Sequence, residues 1–268
     1  MVTAVHSTGD HSGIRSAAYA QQNGFTYRFD WGLDGLRSLA PVVSVVVIVD
    51  VLRFTSAVSA AIESGSVVLP YPWSHTEAGA YAAERHALLA GRREDSGPSL
   101  SPTDLLSMSP GTRLVLPSPN GATLAFAARE LATVRVLAGC LRNATATARH
   151  AHRISRGDPI AIIAGGERWG DPSGQIRPAF EDLVGAGAIL AALDPSGAVA
   201  APRCSPEASA ARAAYQFARP RLFEHLSASA SGRELLDRGW GDDVATASAH
   251  DVTDLAAELI NDEFVPVR

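Results

Sequence analysis

The 268-residue chain contains no lysine; all 23 of its basic residues are arginine. A Walker A loop needs a lysine amine on its phosphates, and pyridoxal enzymes and Schiff-base aldolases need one as a nucleophile, so these classes are excluded. Cysteine is nearly absent. Cys140 and Cys204 form no CxxC pair, which argues against a zinc ribbon or a disulfide framework and makes a reducing cytoplasm the expected compartment. Long apolar runs are missing as well. The longest, at 41–49, is far shorter than the roughly 20 residues a membrane helix needs, and it reads as a buried strand. There is no excess of positive charge: a net charge of -5 and a pI near 5.9 leave no broad electropositive footprint for nucleic acid. No G-x-S-x-G elbow occurs, and the G-G-E-R-W-G stretch at 165–170 lacks the dinucleotide spacing.

With 46% hydrophobic and 19% charged residues, the composition is that of a globular chain long enough to bury a sizeable core. The polar residues through Asn23 lack a signal-peptide core and read as a tail, 1–24, ahead of a single domain at 25–268. From there, β-branched runs alternate with alanine-rich stretches, the pattern of parallel strands joined by crossover helices. The expected fold is α/β, a three-layer α/β/α arrangement with a largely parallel central sheet. Strands are expected at 26–29, 42–49, 66–69, 113–116, 134–138 and 160–163, with 42–49 covered on both faces. Helices are expected at 55–64, 76–89, 122–131, 144–154 and 181–193. The Gly/Ser/Pro-rich stretch 91–110 reads as a long functional loop, suited to a lid. Beyond Asp194 the chain turns mainly helical (195–268), with segments at 206–217, 220–226 and 232–237 and an apolar end at 264–267.

Ligands of open α/β sheets bind at the carboxyl ends of the strands, so the residues following each apolar run carry the functional signal. Asp50 ends the central strand and is followed by Arg53 and Thr55; Asn120-Gly121 and Asn143 open two helices; Glu181-Asp182 open a third. Asp50, Glu181 and Asp182 are hard oxygen donors suited to Mg²⁺. Arg53 and Arg142 can take an anion bidentately, and the helix starts at Asn120 and Asn143 offer backbone N–H groups to a phosphate. Together they suggest metal-assisted phosphoryl chemistry on a small anionic ester. Each piece has an ordinary alternative. Asp50 can pair with Arg53, Glu181-Asp182 can simply complement a helix dipole, and the asparagines can be N-caps. His150 and His152 fall on different helix faces, Cys140 is a weak candidate nucleophile, and Trp73, Trp169 and Trp240 read as packing or loop anchors.

The string I-V-D-V-L-R-F-T-S-A-V at 48–58, with P-N-G-A-T at 119–123, resembles the 2-phosphosulfolactate phosphatase family, Mg²⁺-dependent α/β phosphatases. Gly139 to Ala144, Phe180-Glu181-Asp182, S-G-R-E-L at 231–235 and V-P-V at 265–267 are similar to further segments of that family in the same order. The resemblance implies hydrolysis of 2-phosphosulfolactate or a similar ester to an alcohol and phosphate. It gives catalytic roles to Asp50, Arg53, Asn120 and Asn143, substrate contacts to Thr55, Gly121 and Arg142, and the metal to Asp50, Glu181 and Asp182. It also implies a cytoplasmic enzyme with no nucleic-acid or membrane partner, and a homodimer is the commonest assembly for such enzymes. Two segments depart from the family. Arg92 stands where the family carries an acid, with Glu94 two residues on, and Leu100 stands for the asparagine of its N-S-P segment. A member that has lost catalysis and only binds an anionic metabolite is the alternative these departures raise.

Overall fold

Five consecutive β-branched residues, Val45–Val49, form strand β2 and are buried at every position, which requires cover on both faces. A computed structural model of the chain describes residues 18–268 other than 73–74, 132, 171–173 and 197–202. Most of the expected 1–24 tail, and Trp73, lie outside the described residues. In chain order the other strands are β1 (Tyr27–Trp31), β3 (Val67–Pro72), β4 (Leu88–Leu89), β5 (Arg113–Ser118), β6 (Arg135–Gly139), β7 (Ile160–Ala164), β8 (Glu167–Arg168), β9 (Ile176–Arg177), β10 (Ala256–Ile260) and β11 (Glu263–Val267). The helices are α1 (Gly32–Leu39), α2 (Phe54–Glu63), α3 (His75–Glu84), α4 (Pro102–Leu105), α5 (Gly121–Ala128), α6 (Ala144–Ser155), α7 (Phe180–Leu193), α8 (Pro206–Ala218), α9 (Leu222–Ala228), α10 (Ala230–Asp237) and α11 (Gly241–Ser248). Among the described residues no helix is long and apolar enough to cross a membrane.

Nine strands form one sheet in the order β1-β7-β2-β6-β10-β11-β3-β5-β4, with helices on both faces, an α/β fold. The sheet is parallel within two blocks, β1-β7-β2-β6 and β3-β5-β4. Between them lies the hairpin β10–β11, antiparallel to β6 on one side and to β3 on the other. The sequence reading saw only an apolar end here. The hairpin's signal is its two-residue turn, Asn261-Asp262, with φ of 52° and 67°, values that this tight turn type requires and that Asn and Asp tolerate best. Its strand is disguised by Glu258, a buried carboxylate inside the sheet. Arg135 pairs with that carboxylate, and His150 donates to it from Nε2 at 2.8 Å. His150 must donate there, because its Nδ1 accepts from the Arg153 guanidinium. His152 is exposed, so the two histidines do lie on different faces.

Two further expectations are corrected. The helix expected at 76–89 ends at Glu84; the chain turns at His86, with φ of 50°, and Leu88–Leu89 joins β5 as an edge strand. The stretch 91–110 is not structureless, since Ser101 caps α4 by accepting from the Asp104 N–H. Helices α1 and α11, which start at Gly32 and Gly241, went unread because glycine there masks the helical period.

Alternate residues of β2 face two cores. Val45, Val47 and Val49 pack with α6, α7 and α8, whereas Val46 and Ile48 pack with α1, α2 and α5. Val68 of β3 and Leu114 and Leu116 of β5 join that second core, so both blocks lie against the same helices. The hairpin makes the blocks run in opposite directions, yet the residues that follow β2 and β5 meet, with the Gly121 N–H donating to Asp50. Helix α7 reaches α8 closely because Gly187 has no side chain: a Cβ there would lie 2.0 Å from the Ala211 carbonyl oxygen. Gly187→Ala is therefore expected to cost on the order of 1–3 kcal/mol through overpacking, read as a fall of several degrees in the thermal midpoint.

Candidate active site

Asp50 is buried where β2 ends, and two helix starts converge on its carboxylate. Oδ2 accepts the Gly121 N–H at 2.7 Å and Oδ1 the Phe54 N–H at 3.2 Å, so α5 and α2 both aim their positive ends at it. The Ser118 hydroxyl lies 3.5 Å from Oδ2. Thr55 fixes the backbone beneath: its Oγ1 accepts the Asp50 N–H at 3.0 Å and donates to the Asp50 carbonyl at 2.8 Å. Burial pushes the Asp50 carboxyl up to about 6; the Gly121 and Phe54 N–H groups oppose that rise, and the charges of Glu167 and Glu181 add to it.

Asp182, in the first turn of α7, is a clasp. Its Oδ1 accepts the Val51 N–H at 2.7 Å and its Oδ2 the Gly166 N–H at 2.9 Å, tying the turn after β2 to the turn after β7. Burial, then the charges of Asp50 and Glu181, raise its carboxyl well above the ordinary range. Glu181 is buried beside it. Glu167, in the turn that the sequence reading noted without assigning a role, accepts from Asn120 Nδ2 at 3.1 Å. Asn120 is thus no ordinary cap: no side-chain cap bond is made to α5, and its Oδ1 accepts from Arg168 Nε at 3.2 Å.

These groups open on a pocket of about 130 Å³ that Asp50, Arg53, Ser118, Asn120 and Glu167 line with Ser231, Glu234, Arg238 and Trp240. It is continuous with a larger cleft of about 510 Å³, since Arg53, Leu100, Pro119, Arg238 and Trp240 line both. Arg53 does not pair with Asp50. Its guanidinium donates to Asp243 at 2.7 Å and lies 4.7 Å from the centre of the Trp240 ring; the peptide bond before it is cis. Arg93 also donates to Asp243, as does Ser101 at 2.6 Å. Burial alone would raise the Asp243 carboxyl, but the hydrogen bonds from Arg93, Ser101 and Arg53 outweigh it and hold the group below its ordinary value. Trp240 is an anchor of a specific kind, with Arg53, Arg238 and Arg93 disposed about one indole.

The structure brings Asp50, Arg53, Thr55, Asn120 and Gly121 together, and it sets the four other expected residues, Arg142, Asn143, Glu181 and Asp182, apart from the pocket lining. Arg142 is buried and donates to Glu63 at 2.6 Å and to the Thr246 carbonyl at 3.1 Å. Asn143 accepts the Cys140 N–H at 2.9 Å and closes the turn into α6. Asp182 spends both oxygens on backbone N–H groups. Cys140 is fully buried, and that burial raises its thiol, against a nucleophilic role. Sequence reasoning missed Glu167, Ser231, Glu234, Arg238 and Trp240 as pocket residues. Glu167 follows a strand end and was legible by the same rule that found Asp50; the others come from α10 and the turn after it, which only the tertiary fold carries to the site.

An α/β sheet whose strand ends present buried carboxylates to an arginine-lined cleft defines a protein built for a small anionic ligand. The family model described as 2-phosphosulpholactate phosphatase matches residues 36–262. The chain is also 31% identical over 205 residues, 75% of its own length and 81% of the relative's, to a Thermus thermophilus protein called "Probable 2-phosphosulfolactate phosphatase". The chain belongs to the 2-phosphosulfolactate phosphatase family, a family of phosphoric monoester hydrolases.

Proposed function

We propose that this protein hydrolyses a small phosphate monoester bearing a further anionic group, of the 2-phosphosulfolactate type, to the alcohol and inorganic phosphate, and that the reaction needs Mg²⁺. The observation that carries this reading is the Asp50 carboxylate, set on two helix starts and opening on a pocket walled by Arg53 and Arg238. Water forms the new O–P bond as the ester O–P bond breaks, and a proton must reach the departing alkoxide.

The residues fit a magnesium ion in part. Asp50, Glu167, Glu181 and Asp182 influence one another electrostatically, and none forms a salt bridge among the described residues, so a cation is chemically suited to the cluster. No three His, Cys, Asp or Glu side chains converge as a ready ligand set among the described residues, and Asp182, unlike Asp50, does not line the pocket. Magnesium uses one or two carboxylates and keeps its waters, so Asp50 and Glu167 would hold it, with the charge of Glu181 behind them. When bound, the ion supplies positive charge to the phosphoryl oxygens. The chain's own groups do the rest: Arg53 and Arg238 neutralise the substrate, and the Ser118 hydroxyl offers a polar contact to it.

Phosphate release from 2-phosphosulfolactate is expected to fall by about two orders of magnitude or more in EDTA and to return when Mg²⁺ is restored. Turnover indifferent to chelator removes the metal from the mechanism. Arg92 favours the competing reading, a member that binds an anion without turnover. Calorimetric binding of inorganic phosphate with no hydrolysis of any ester would establish that reading instead.

A further inference from the structure

The pocket around Asp50 is too small to explain the cleft beside it. At about 510 Å³ that annex falls within the range of sites that hold drug-sized molecules, far more than a three-carbon acid occupies. Its walls are cationic. Arg53, Arg92, Arg93 and Arg238 line it, with Glu94 as the acid among its lining residues. Arg53 and Arg93 share the carboxylate of Asp243, with Asp104 a further 3.9 Å neighbour of Arg93, whereas Arg92 forms no salt bridge among the described residues. The wall is also built rather than loose. The loop carrying Arg92 closes on itself through a bridge between Gly91 and Ser99, with the Gly91 N–H donating to the Pro98 carbonyl at 2.9 Å, and Ser101 beyond it is tied to buried Asp243.

Arg92 supplies the free charge. It is exposed on the annex wall and, unlike Arg53 and Arg93, its guanidinium has no carboxylate partner among the described residues, so it is available to a ligand anion.

We propose that the annex is a second subsite, which takes the far, anionic end of a phosphate monoester longer than a three-carbon acid, with the Arg92 guanidinium as its contact. The inference rests on the reading that the Asp50 pocket takes the phosphoryl group. It gives Arg92 a use: an arginine on this loop serves a longer, doubly charged substrate.

The test is a calorimetric series of α,ω-alkanediphosphonates of two to eight carbons, which no phosphatase hydrolyses, measured with Mg²⁺ beside alkylphosphonates of equal length that lack the second anion. Affinity for the diphosphonates is expected to rise by about tenfold or more at the length that spans both subsites, as expected for one added charge-assisted contact, while the singly charged series stays flat. Arg92→Gln is expected to erase that gain and to leave methylphosphonate binding unchanged; its side chain holds no other part of the fold among the described residues. Diphosphonate affinity independent of length, or a length preference that survives Arg92→Gln, overturns the subsite. The outcomes separate from those of the hydrolysis reading. A length preference in a protein that releases no phosphate from any ester sinks the phosphatase alone, and turnover without a length preference sinks the subsite alone.

Discussion

Asp50→Asn is expected to abolish phosphate release, a loss of about 10³-fold or more in kcat, in a protein that still folds. The substitution keeps the shape and one acceptor oxygen, so one of the two N–H groups from Gly121 and Phe54 stays paired, and it removes the charge on which the pocket is built. The pH behaviour gives a second handle. In the metal-free protein its carboxyl sits at about 6 instead of the ordinary 3.8, and a cation needs the ionised form, so Mg²⁺ affinity measured by calorimetry is expected to weaken as pH falls through 6. The stability effect has the opposite sign to that of a salt-bridged aspartate. Between about pH 4 and 6 the folded protein holds a proton here that the unfolded chain has lost, so stability contributed by this group falls as pH rises through that window. Denaturant unfolding in EDTA at pH 4.5 and pH 7 measures it. Asp50→Asn is expected to narrow the difference between the two, and an unchanged difference would assign the effect to other groups.

Gly121→Ala is the second large effect. A Cβ at this position would lie 2.5 Å from Phe54 Cδ1 and 2.8 Å from both Cβ and Oδ2 of Asp50. Three close contacts, one of them the Asp50 oxygen that accepts the Gly121 N–H, leave the methyl group nowhere to go, so α5 must back away and its N–H must leave the carboxylate. The expected cost is roughly 1–3 kcal/mol of stability, with about a hundredfold loss of activity from a displacement near 1 Å. Gly79 in α3 is the control. A Cβ there meets nothing within 4 Å, and Gly79→Ala is expected to raise stability by roughly 0.5–1 kcal/mol with activity unchanged. A Gly121→Ala protein as active as the Gly79→Ala protein would mean that the α5 start does not govern Asp50.

What was legible in the sequence was local. The apolar strand at 45–49 announced its burial by composition, and the strand-end rule led from it to Asp50, to Asn120-Gly121 and to the clasp formed by Asp182. The rule could not separate residues whose strand ends meet at the pocket from those whose strand ends do not. Asn143 also follows a parallel strand, β6, yet its side chain is consumed by the Cys140 turn. Arg142 likewise faces Glu63. Nor could it find Ser231 and Trp240, which reach the pocket through the packing of α10 and α11 on α9 rather than through any pattern of their own. The β10–β11 hairpin was hidden for a different reason. Its buried Glu258 reads as a surface residue until Arg135 and His150 are known to meet it.

That hairpin follows every other strand in chain order, and one of its pairings joins Phe264 to Val68 across most of the sequence. Synthesis from the amino end therefore delivers Asp50 on one block and the α5 start on the other before the piece that stitches the blocks together exists. The nascent chain can collapse each block and pack both on the shared helices, but the strand pairing that fixes one block against the other is still missing, and such distant pairing is slow to form. Chemistry at Asp50 is in this way tied to completion of the fold: a chain cut short of residue 256 is expected to carry every pocket residue and hold none of them in place.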